Sequence, residues 1–181
     1  MWLEPIPVDL RDVAMADLDA GDVELFLFRA NNEASLSLVY RNQAALRARG
    51  LYERALLNAF VATRTNNRRW PLDTLASLFV VADVERLRAA GDPLPGPGPF
   101  TVYRGVAGRG RARRVRGISW TLSLEKARWF ANRFGYSDPA VFQVTINMES
   151  VLAYINTRGE QELIVLLPAS VTTRRSSPPG R

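Results

Sequence analysis

The sequence predicts an α+β protein, with helices gathered in its first half and strands set around one helix in its second. Three observations carry this. Apolar residues recur at helical spacing through "LYERALLNAFVATR" and "WPLDTLASLFVVADVERLRAAG". The stretch "GDPLPGPGPF" then breaks the chain, because so dense a run of proline and glycine cannot continue a helix. Beyond it come short β-branched and aromatic runs bounded by turn residues.

The elements follow in order. Residues 1–32 are ambiguous, and "DVELFLFRA" fits either a helix or a short strand. A helix is expected over 33–49. The next places Leu56, Leu57, Phe60 and Val61 on one face. Pro71 suits a first helical turn, and one helix is expected from there to Gly91, with Leu75, Leu78, Phe79 and Ala82 as its core stripe. In the second half "FTVYRGVA" and "ISWTLS" read as strands. "SLEKARWFANRF" reads as a helix capped by Ser123, with Ala127, Phe130, Ala131 and Phe134 at helical spacing. "AVFQVTIN", "VLAYIN" and "ELIVLLP" read as three further strands.

Composition removes several chemistries. The chain has no Cys and no His, so thiol nucleophiles, Ser-His-Asp triads and imidazole metal ligands are excluded. Acid-base work falls to carboxylates or hydroxyls. No signal peptide and no apolar run of the roughly 18 residues a membrane span needs is visible. A cytoplasmic protein is expected, or one delivered into a target cell without a cleavable signal. The net charge is +6 and Lys126 is the sole lysine. Between Thr101 and Arg116 stand Arg104, Arg109, Arg111, Arg113, Arg114 and Arg116, with no acid. Such a cluster either attracts phosphate and acidic surfaces or is a solvated loop.

One constellation carries chemistry. In "TRGEQELIVLLP" two carboxylates, Glu160 and Glu162, stand two apart, which on a strand puts both on one face. Arg104 in "VYRG" ends a strand, where its fork suits a phosphate or pyrophosphate. Gly105 lets backbone come close to a ligand. A serine in "ISWTLS" can hold a carboxylate in one rotamer. A glutamate so held can stabilise positive charge on a ribose carbon, as carboxylates do in glycoside chemistry.

In this order, the motifs resemble the Arg-Ser-Glu class of mono-ADP-ribosyltransferases, the cholera-toxin-like branch of that superfamily. The resemblance spans about 100–168 and implies a split β-sandwich NAD-binding core. It implies that Arg104 binds the NAD phosphates and ribose, that Ser119 opens the Ser-Thr-Ser strand, and that Glu162 is the catalytic glutamate facing the ribose. Glu160 would orient or deprotonate the acceptor. The motif's Thr and last Ser are here Trp120 and Thr121, both assigned to the NAD pocket with Gly105 and Phe130. Phe130 lines the nicotinamide site or is helix core; Phe134 and Tyr136 flank NAD or belong to the helix-strand corner.

The domains expected are a helical lobe over 1–95 packed on the core, the ADP-ribosyltransferase-like catalytic core over 96–168 and a disordered basic tail over 169–181. The implied reaction releases nicotinamide from NAD, used as substrate without a metal, and transfers ADP-ribose to a macromolecular acceptor. A glutamate two before the catalytic one goes, in the family, with protein arginine; the basic patch beside the site leaves DNA or RNA next. The class implies a toxin or a phage- or defence-related effector, with a neutralising partner protein as a further expectation. The alternative is a catalytically silent or non-enzymatic basic nucleic-acid-binding protein. That reading calls for an aromatic stacking platform, which the sequence does not make evident.

Overall fold

A computed structural model describes residues 1–62, 70–110, 113–157, 159–167 and 171–176. The chain divides into two units, Met1–Ala90 and Gly91–Arg181. It is mixed α+β, with one antiparallel sheet.

The first unit is helical among the described residues. Helices α1 (Arg11–Asp19), α2 (Val23–Phe28), α3 (Ser35–Arg41), α4 (Gln43–Ala48), α5 (Tyr52–Ala62), α6 (Leu72–Val80) and α7 (Val84–Ala90) follow in order. The ambiguous "DVELFLFRA" resolves as α2, whose N-terminus is capped by the Asp22 carboxylate accepting from Leu25 N at 3.0 Å. Helix α5 buries Tyr52, Leu56, Leu57 and Phe60. The Tyr52 hydroxyl donates to the Leu78 carbonyl at 2.8 Å, and the Phe60 and Phe79 rings meet edge to face.

Two helices expected to run unbroken are each divided, and in both a buried polar side chain marks the break. Over 33–49 the break falls at Asn42. Its buried amide donates to Leu38 O and Trp2 O, and its Oδ1 accepts from Trp2 N at 2.7 Å. Between α6 and α7, the buried Glu53 carboxylate accepts from Asp83 N at 3.0 Å. The Asp83 side chain in turn accepts from Arg86 N and starts α7.

The second unit holds β1 (Phe100–Val106), β2 (Ser119–Thr121), α8 (Leu124–Asn132), β3 (Ala140–Ile146), β4 (Val151–Ile155), β5 (Glu162–Val165) and β6 (Arg174–Arg175). The strand order is β4-β5-β2-β1-β3-β6, every pair antiparallel. β1 and β3 pair along their whole length, from Phe100 opposite Ile146 to Val106 opposite Ala140. β1 and β2 pair only where Tyr103 faces Thr121. The sheet is therefore one continuous sheet with a narrow seam between β4-β5-β2 and β1-β3-β6. Within the tail expected to be disordered, Arg174 and Arg175 pair with Gln143 and Phe142 on β3; residues 168–170 and 177–181 lie outside the described residues.

The two faces of the sheet differ. One carries a core of Phe100, Val102, Trp120, Val144, Tyr154 and Leu163 with their neighbours. The other receives α8, whose Ala127 and Ala131 pack with Val141 and Tyr103. A Cβ on Gly105 would come within 1.9 Å of the Ala127 carbonyl oxygen and 2.7 Å of Ala131 N. Gly105 thus lets α8 lie directly on β1. The ligand approach expected at this glycine is replaced by a helix backbone. Among the described residues, no helix is long and apolar enough to cross a membrane.

Candidate active site

The site is assembled at the seam. Past the position where Tyr103 faces Thr121, β1 and β2 no longer pair, and the Arg104 side chain bridges them. Its Nη1 donates to the Ser119 carbonyl and its Nε to the Arg114 carbonyl at 2.8 Å. The guanidinium lies where a side chain at 117 would otherwise stand. A Cβ on Gly117 would meet Arg104 Nη2 at 2.2 Å and Cζ at 2.4 Å. Gly117, two residues before Ser119, was not singled out from the sequence, although a glycine so close to a proposed ligand strand is a usable signal.

Ser119 joins both sides. Its carbonyl accepts from Arg104 and its hydroxyl donates to Glu162 Oε1. The register explains the second bond. Thr121 faces Glu162 across β2 and β5, so Ser119 is the diagonal neighbour on the same face. Arg104, Ser119 and Glu162 therefore form one hydrogen-bonded chain, although 15 residues separate the first two and 43 the second two.

Glu160 is placed by a turn and not by strand alternation. β5 starts at Glu162, and Gln161 sits at φ 49°, in the left-handed region that side-chain-bearing residues rarely adopt. The two-residue period that would align both carboxylates is broken there. The turn is held instead by the Thr121 hydroxyl donating to Glu160 O at 2.6 Å and by Leu122 N donating to Gln161 O at 3.0 Å. The Glu160 side chain lines a cavity of about 160 Å³ together with Glu125, Lys126, Trp129 and Phe130.

Three residues assigned to the NAD pocket have other work. Trp120 is 1% exposed, belongs to the core, and donates its Nε1 to Gly117 O at 2.8 Å. Alternation turns it away from the face that carries Ser119. Thr121 is buried, and its hydroxyl fastens the Glu160 turn while accepting from Ser123 N at 3.0 Å. Gly105 faces α8. Phe130 is half-buried and lines the Glu160 cavity, where its ring meets Trp129 edge to face.

Much of the arginine cluster is structural. Arg113 pairs with Asp138 and lies over the Phe142 ring. Arg116 donates to Val171 O at 2.9 Å and Leu167 O at 3.2 Å. Arg114 offers its carbonyl to Arg104, Arg109 is exposed, and Arg111 lies outside the described residues.

The sequence reading also missed Trp129. Ala127 and Ala131 define the buried side of α8, and residue 129 falls about 200° from 127 around a helix with 3.6 residues per turn, so it points outward. The residue is 56% exposed. Among the described residues no group of three or more acidic side chains is placed to hold a metal ion. No protein-family model, no curated protein and no solved structure matches the chain.

Proposed function

We propose that this protein is an NAD-dependent mono-ADP-ribosyltransferase, built on a split-sheet core of the Arg-Ser-Glu class. The observation that supports it is the continuous chain from Arg104 through Ser119 to Glu162. These are the residues whose types and order suggested the class, and hydrogen bonds link them where β1 and β2 cease to pair. The residues fit NAD as substrate. Arg104 places a fixed positive charge at the seam, its Nε and one Nη anchored on backbone carbonyls, and that charge suits a pyrophosphate. Glu162, oriented by Ser119, supplies the negative charge that a departing nicotinamide calls for at the ribose.

In the balanced reaction the bond from ribose C1′ to the nicotinamide nitrogen breaks and neutral nicotinamide leaves with the electron pair. A bond from C1′ to the acceptor nucleophile forms and the acceptor loses one proton. Glu160, whose turn is fastened by the Thr121 hydroxyl, is the group assigned to take that proton. In the class it resembles, the E-x-E spacing goes with an arginine guanidinium as acceptor. The amine of a nucleobase is the other nucleophile that such a carboxylate serves.

The test is incubation of the full chain with adenine-labelled NAD and a whole-cell lysate, beside Glu162→Ala. Label transferred by the wild type and not by the variant is expected, with release of nicotinamide. A folded wild-type protein that releases no nicotinamide and transfers no label overturns the reading.

A further inference from the structure

The outward face of α8 and the turn after it carry an aromatic surface beside Glu160. Trp129 is 56% exposed, Phe134 47% and Tyr136 51%. The rings form a contiguous series: Trp129 and Phe130 have centroids 5.1 Å apart, and Phe134 and Tyr136 5.7 Å. The Arg133 guanidinium links the two pairs, lying 5.5 Å from the Trp129 centroid, 5.3 Å from Phe130 and 4.2 Å from Phe134. Packing does not require these rings, because Ala127 and Ala131 make the contact with the sheet. A contiguous exposed aromatic surface marks a binding site.

Charge selects the occupant. Between Leu124 and Phe134 the cations Lys126, Arg128 and Arg133 outnumber Glu125 and the neighbouring Glu160, in a chain of net charge +6. Lys126, Arg128 and Arg133 are exposed. Ring faces interleaved with cations suit a ligand that alternates flat, uncharged rings with anions. A single-stranded nucleic acid is such a ligand: its bases stack on aromatic faces and its phosphates pair with the basic side chains. A duplex hides its base faces, and an arginine-bearing peptide would bring cations to a surface already basic.

We propose that Trp129, Phe130, Phe134 and Tyr136, with Arg133, form a stacking platform for single-stranded nucleic acid, and that this strand is the acceptor. The acceptor part rests on the transferase reading. A base seated against Trp129 would lie in the cavity that Glu160 lines, and an exocyclic amine there would find a carboxylate to accept its proton.

The test needs neither NAD nor catalysis. A fluorescent single strand of mixed sequence, as DNA in one arm and RNA in the other, is titrated with the full chain by anisotropy, beside the same sequence as duplex. Binding is expected to weaken with salt and to be tighter for the single strand than for the duplex. Trp129→Ala, its fold checked by circular dichroism, is expected to weaken binding about tenfold or more, and Trp129→Phe to restore most of it. The tighter arm names the natural source. Absence of binding, equal binding of the duplex, or binding that survives in both Trp129→Ala and Phe134→Ala overturns the platform. Label from NAD that protease removes and nuclease does not overturns the acceptor role. Loss of oligonucleotide binding with nicotinamide release intact leaves the transferase standing. Binding without nicotinamide release leaves the platform and removes the transferase.

Discussion

The Ser119 hydroxyl donates a hydrogen bond to the Glu162 carboxylate from the diagonal position of an adjacent antiparallel strand. A carboxylate at the first residue of a strand has free rotamers unless something fixes it. Here a short side chain on β2 does so, and the same residue's carbonyl holds the arginine. Ser119 is thus a positioning residue for both partners.

Replacing it separates orientation from binding. Ser119→Ala keeps the backbone carbonyl that Arg104 uses and removes only the hydroxyl. Turnover of NAD is expected to fall about ten- to hundredfold with little change in KM. Ser119→Thr, which keeps a hydroxyl, is expected to restore most of kcat. Steady-state nicotinamide release over a range of NAD concentrations checks both; an equal loss in the two variants would point to a packing role instead.

Gly117 and Gly105 make a paired test of site against scaffold. Neither has a positive φ, so Ala fits the backbone at both. At 117 the new methyl meets the far end of a flexible side chain, the Arg104 guanidinium. Gly117→Ala is expected to displace that guanidinium, to raise KM for NAD about tenfold, and to cost no more than about 1 kcal/mol of stability. At 105 the methyl meets the backbone of α8. Gly105→Ala is expected to destabilise by about 3 kcal/mol. Urea unfolding beside NAD kinetics distinguishes the two.

Gln161 carries a positive φ without being glycine. Gln161→Gly is expected to leave the bonds from Thr121 and Leu122 intact, since both end on backbone carbonyls. Relief of the left-handed strain is offset by the entropy of the added glycine. Unfolding free energy should therefore change by less than about 1 kcal/mol, read from denaturant midpoints. A larger loss would mean that the Gln side chain itself holds the turn.

Burial pushes the Tyr52 hydroxyl up to about 12; Arg47 opposes the shift and Glu53 adds to it. The folded state holds this proton more tightly than the unfolded chain, whose tyrosine ionises near 10. The resulting stability is present below about pH 10 and is lost as pH rises toward 12. Tyr154 shifts the same way, through burial and then Asp92, so the wild type must be compared with Tyr52→Phe. The variant is expected to lose about 1 kcal/mol at neutral pH, because Leu78 O loses its donor. Its stability should fall less steeply between pH 10 and 12. Urea melts at stepped pH give both slopes, and parallel curves would contradict the assignment.

Local pattern made β1 to β5 and α8 legible, because short apolar runs and the Ala127–Ala131 spacing are properties of short windows; β6, two exposed arginines, carries no such pattern. The order of the motifs grouped Arg104, Ser119 and Glu162, and the structure joins them by hydrogen bonds. The helix breaks were not legible. Asn42 is pinned by Trp2, 40 residues away, and Asp83 by Glu53, 30 away. No short window contains either partner. Gly105 was misread because a glycine that admits a helix looks like one that admits a ligand. Trp120 and Trp129 show the same limit: one is buried and the other exposed, and only the packing of their elements separates them.

Asp138 has a consequence for the end of the chain. Its two carboxylate oxygens serve two arginines from distant segments, Arg113 through one oxygen and Arg175 through the other. Arg113 adjoins the residue whose carbonyl steadies Arg104, while Arg175 lies in β6. Remove the shared anion and two mutually repelling cations remain in its place. The closing strand and the loop that carries Arg113 and Arg114 are thus yoked to one counterion.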